Sequence, residues 1–112
     1  MKLERVRYLL GPNPGDPSPM ELLVLILEAS IELVSIPGND FCWSYWADES
    51  EAIQELQSLL DLVKAGTLPE RLKLTVIFAP TGPLQETSMS SGWAETYLKI
   101  AERFDQVEAL LW

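Results

Sequence analysis

Between Pro19 and Ser35 the chain carries an apolar run, Met-Glu-Leu-Leu-Val-Leu-Ile-Leu-Glu-Ala-Ser-Ile-Glu-Leu-Val, that no stable fold can leave in water. At about 100° per residue, Glu21, Glu28 and Glu32 fall within about 40° of one another. The run is then a cylinder that is apolar on most sides, with one narrow polar stripe reaching solvent, and it predicts the central helix of a core. Ser18 suits the N-cap, Pro19 the first helical position, and Pro37-Gly38-Asn39 the stop. The glutamates, and a length short of the ~20 apolar residues a span needs, argue against a membrane helix.

Around this helix the sequence predicts an α+β fold. Three main helices, about 19–35, 48–65 and 92–110, pack on a small sheet centred on 72–79. The second helix has Asp48 as cap and Glu51 three residues on, the reciprocal pattern of a capping box. Ile53, Leu56, Leu59, Leu60 and Val63 form its apolar face, and Gly66 stops it. The third carries Trp93, Tyr97, Ile100, Phe104, Val107 and Leu111 at helical spacing, with Leu98 and Leu110 widening the stripe.

Residues 72–79, Leu-Lys-Leu-Thr-Val-Ile-Phe-Ala, alternate and are rich in residues that favour a pleated surface, so they predict a strand. A lone strand cannot satisfy its backbone, and 4–9, 41–46 and 84–89 are the segments available to pair with it. Residues 3–10 fit a strand or a short helix, 41–46 a strand, an extended loop or a helical turn, and 84–89 a strand or a loop. The alternative architecture is a parallel β-α-β-α-β-α unit using 4–9, 41–46 and 72–79. Leu25, Leu56, Val76 and Phe104 are expected in the core. Gly11-Pro12-Asn13-Pro14-Gly15-Asp16-Pro17 reads as a stiff connector inside a single domain covering 1–112.

Acidic residues outnumber basic ones 17 to 8, a formal charge of −9. That field repels phosphate, so nucleic acid and anionic membrane surfaces are poor partners, and a protein with a basic surface is a good one. With 47% apolar and 22% charged residues the chain can build a core without a disulfide or a structural metal. Its one cysteine, Cys42, forms no internal disulfide, and the N-terminal residues have no signal-peptide pattern. Both fit a reducing, cytoplasmic setting.

Histidine is absent. Ser-His and Cys-His nucleophile pairs, imidazole metal sites and the usual neutral-pH proton shuttle go with it. One cysteine cannot make a thiolate zinc site, and neither nucleotide-binding glycine fingerprint occurs. No cofactor and no zinc, iron or copper is expected. Glu28 and Glu32, one turn apart, could share a Mg²⁺ or Ca²⁺, but a solvated stripe explains them as well. Cys42 reads as a small buried hydrophobe among aromatics.

Two segments remain as candidate sites. The first is the stretch from Thr81 to Trp93, expected to join a strand end to a helix start. Thr81, Gln85, Glu86, Ser90, Ser91 and Trp93 are its candidate binding residues. Amides near Ser91 and Gly92 would meet an anion, Gln85 and Glu86 would give directional contacts, and Trp93 would form a wall. The second is the run Phe41, Trp43, Tyr45 and Trp46, which holds more aromatic surface than one strand face can hide, leaving one ring as an interface anchor. The favoured function is non-enzymatic protein binding, of the accessory, inhibitor or immunity kind, through an acidic face. The alternative is a small-ligand or anion-binding domain, with or without catalysis, using 81–93.

Overall fold

A computed structural model describes residues 3–11 and 17–112, and among these every regular element is a helix. There are six: α1 (Glu4–Leu10), α2 (Pro19–Val34), α3 (Glu49–Lys64), α4 (Arg71–Phe78), α5 (Pro83–Ser91) and α6 (Ala94–Leu111). α2 packs against α1, α3 and α6, while α5 bridges α4 and α6. Part of the expected connector, 12–16, lies outside the described residues.

The long helices sit where their caps place them. The Ser18 hydroxyl accepts the Glu21 amide at 3.2 Å, and the Asp48 carboxylate accepts the Glu51 amide at 3.0 Å. Glu51 reaches back one residue further than a capping box requires, to the Ala47 amide at 3.2 Å. Gly66 at the end of α3 and Gly92 at the end of α5 take the left-handed conformation, at φ 84° and 87°. Leu23, Ile26, Leu27, Leu33, Leu56, Ile100 and Phe104 are buried together in the core. Leu25 is only partly buried, on the rim of α2.

Among the described residues the expected sheet is absent, and the α+β reading and its parallel alternative both fall with it. Residues 72–79 fit two periods at once. Read as a strand, Leu72, Leu74, Val76 and Phe78 would be buried together. Read as a helix, Leu74, Ile77 and Phe78 share a face at i, i+3 and i+4. The second pattern is the one buried, leaving Leu72 at 70% and Val76 at 42% exposure. Strand propensity is a preference for a pleated, half-buried surface, and it carries little once no second strand exists to provide that surface.

The other proposed strands go the same way. Residues 4–9 take the helical option as α1. Residues 84–89 lie inside α5, started by Pro83 at its first position. Residues 41–46 form turns without a ladder. The last helix starts at Ala94 rather than at Ser91 or Gly92. Leu98 and Leu110 do not widen its stripe, being 56% and 69% exposed.

The glutamate stripe of α2 is not simply solvated. α1 has no side-chain cap of its own. Instead the Glu32 carboxylate accepts the Arg5 and Val6 amides, each at 2.9 Å, and so caps α1 from the neighbouring helix. Glu28 lies between Arg5 of α1 at 3.8 Å and Lys64 of α3 at 3.6 Å. Only Glu21 stays exposed. Glu32→Ala should therefore lower stability by about 1–2 kcal/mol, the worth of a lost cap. It should also speed hydrogen exchange at the Arg5 and Val6 amides. Unchanged exchange there would refute the capping role.

Candidate functional site

The stretch 81–93 is built from a tight turn and a helix rather than a loop. Thr81 sits at φ 65°, and its amide donates to the Gln85 side-chain carbonyl. Gln85 thus closes the turn between α4 and α5. Glu86 is in the first turn of α5 and partly buried, and Ser90 is in its last turn. Ser91 accepts the Asp40 amide at 2.9 Å, and the Trp93 indole donates to the Asn39 side-chain carbonyl at 2.9 Å. Asn39 in turn donates to the Leu33 carbonyl at 2.8 Å. Ser91 and Trp93 therefore clamp the segment after α2 onto the α5–α6 junction.

These six residues do not converge on one cleft. Gln85 lines a cavity of about 350 Å³ between α4 and α6, together with Pro80, Tyr97, Leu98 and Asp105. The other five do not line it. The Tyr97 hydroxyl there donates to the Phe78 carbonyl at 2.8 Å. Burial, and then the charge of Asp105, raise its pKa.

A larger groove, about 890 Å³, runs between α3 and α4. α3 contributes Glu51, Gln54, Glu55, Ser58 and Leu59, which share a face over two turns. Opposite stand Glu70 at the start of α4 and then Leu72, Lys73 and Val76. Tyr45 and Trp46 close one end. The groove exists because of how its walls are held. α3 packs on α2 and α4 packs on α5, so the two consecutive helices need not close on each other. The buried stripe of α4 turns inward and leaves Leu72 and Val76 facing out.

The aromatic end is fixed by one carboxylate. The Tyr45 hydroxyl and the Trp46 indole, the latter at 3.3 Å, both donate to the same Glu55 oxygen. The two rings meet edge to face at 5.7 Å. Partial burial, then the hydrogen bond and charge of Glu55, push the Tyr45 phenol well above its ordinary pKa, so it stays a neutral donor. Trp46 is the one buried ring of the run. Phe41 is partly buried, Tyr45 is 54% exposed and Trp43 is 73% exposed. Cys42 is exposed too, not buried as its neighbours suggested.

The groove combines aliphatic and aromatic surface with three carboxylates, Glu51, Glu55 and Glu70, against one ammonium, Lys73. Chemically it offers apolar contact and attraction for cations. Among the described residues no three acidic or cysteine side chains gather closely enough to hold a metal ion. No described helix is long and apolar enough to cross a membrane. Sequence reasoning pointed to Tyr45 and Trp46 but missed Leu72 and Val76, because it assigned both to the buried face of a strand. Comparison with known protein families, curated proteins and solved structures finds no match to this chain.

Proposed function

We propose that this is a non-enzymatic binding domain that holds a basic segment of another protein in the α3–α4 groove. The observation that carries the reading is the exposure of Leu72 and Val76 one turn apart, beside the carboxylates of Glu51 and Glu70. Leu72 and Val76 lie outside the core, and in the groove they gather with Tyr45 beside charged groups, an arrangement that suits an interaction surface. The net charge of −9 adds long-range attraction for a cationic partner. An exposed Cys42 suits a reducing compartment such as the cytoplasm. Anion binding at 81–93 has less to rest on, since Gln85, Ser91 and Trp93 already use their polar groups within the fold.

The test compares affinity capture from native lysate by the wild-type chain and by Leu72→Asp/Val76→Asp. Both sites are exposed, so the double variant should melt within about 0.5 kcal/mol of wild type per site. The expected result is a specific protein held by the wild type at low salt, released by high salt, and not held by the variant. If every captured protein is held equally by the variant, the groove is not the binding surface.

A further inference from the structure

Given that reading of the groove, its shape also specifies what docks there. We propose that the occupant is one amphipathic helix of a partner protein, aliphatic on its inward side and carrying Lys or Arg along its flanks.

Size is the first argument. The groove is open to solvent and offers about 890 Å³ between its walls, room for the inward-facing side chains of a helix. Its α3 wall, from Glu51 to Leu59, is about 12 Å long at 1.5 Å per residue, close to two turns.

Backbone chemistry is the second. An extended peptide leaves its N–H and C=O groups in need of partners, which a sheet edge normally supplies. Among the described residues there is no strand, and apart from the first-turn amides of α4 the helical walls pair their backbone groups within themselves. A helical occupant satisfies its own backbone and asks only for side-chain contact.

The pattern of the walls is the third. Leu72 and Val76 are spaced i and i+4, the spacing that meets an i, i+3, i+4 stripe on a facing helix. Glu51 and Glu70 stand on opposite walls, so cations on both flanks of one helix would each find a carboxylate. The groove is in effect an empty helix position between two elements that are next to each other in the chain. A second copy of this chain would bring its own charge of −9, which argues against self-docking.

The experiment titrates the isotopically labelled full chain with four synthetic peptides, each about fourteen residues, long enough to fold on contact. One has Leu and Lys at helical spacing. The second has the same composition in strict alternation, which favours a strand. The third has Leu and Glu at helical spacing, and the fourth is lysine alone. The helical Leu/Lys peptide should bind at least roughly tenfold more tightly than the others. It should shift amide resonances in 51–59 and 70–76, and Leu72→Asp should weaken it by a similar factor with the melting temperature unchanged. If the alternating peptide or polylysine binds the same residues as tightly, the groove takes basic segments but not specifically helices, and this inference fails alone. If the Leu/Glu peptide binds equally, if no peptide binds, if the shifts fall elsewhere, or if Leu72→Asp has no effect, the docking reading fails with it.

Discussion

Phe104→Ala should destabilise the protein by about 3–5 kcal/mol. The side chain is 2% exposed, and its ring stacks on Phe78 with centroids 4.5 Å apart and planes 14° from parallel. Truncation removes the transfer free energy of a phenyl ring and leaves a cavity at the point where α4 meets α6. Against a domain stability of about 5–15 kcal/mol, that loss approaches the threshold of unfolding. Leu98→Ala, on the same helix but 56% exposed, should change stability by no more than about 0.5 kcal/mol. Urea melts of the two variants check both values. Equal midpoints would contradict the orientation of α6.

Gly82→Ala should cost about 1–3 kcal/mol, although two ordinary arguments predict the opposite sign. Gly82 sits at φ −73° and ψ 174°, a backbone that alanine adopts freely. Replacing glycine at such a position usually stabilises by about 0.4–1 kcal/mol, through the unfolded chain. The obstacle here is space. An added Cβ would press into the Val76 carbonyl oxygen and lie 2.9 Å from that of Ala79. Both are backbone atoms at the end of α4, and no side-chain rotation relieves the contact. The Gly82 amide also donates to Ala79 at 2.9 Å, which fixes the approach. A thermal melt decides the sign, and a raised melting temperature would mean that α4 ends differently.

Much of the fold is legible where local chemistry is unambiguous. Ser18-Pro19 and Asp48 announce α2 and α3 because a capping side chain and a fixed proline φ leave few alternatives. Residues 72–79 are illegible for a stated reason. Eight residues span barely two helical turns, and an apolar set at 72, 74, 76, 77 and 78 satisfies both a period of 2 and one of 3.6. The choice is made by packing against α5 and α6. That one ambiguity also hid the groove, because its apolar wall consists of the residues the strand reading buries. Ser91 and Trp93 misled in another way. A hydroxyl and an indole in a polar stretch look free, yet their partners, Asp40 and Asn39, lie more than fifty positions away in the chain.

The cap that Glu32 provides for α1 bears on the order of assembly. α1 has seven residues, well below the ~12–15 at which an isolated helix holds in water. Its leading amides find their acceptor on a residue that lies 27 and 26 positions further along the chain. During synthesis α1 emerges ahead of its acceptor and stays unformed until most of α2 has been made. α1 settles only after its successor, so for this pair of helices folding runs against the direction of translation.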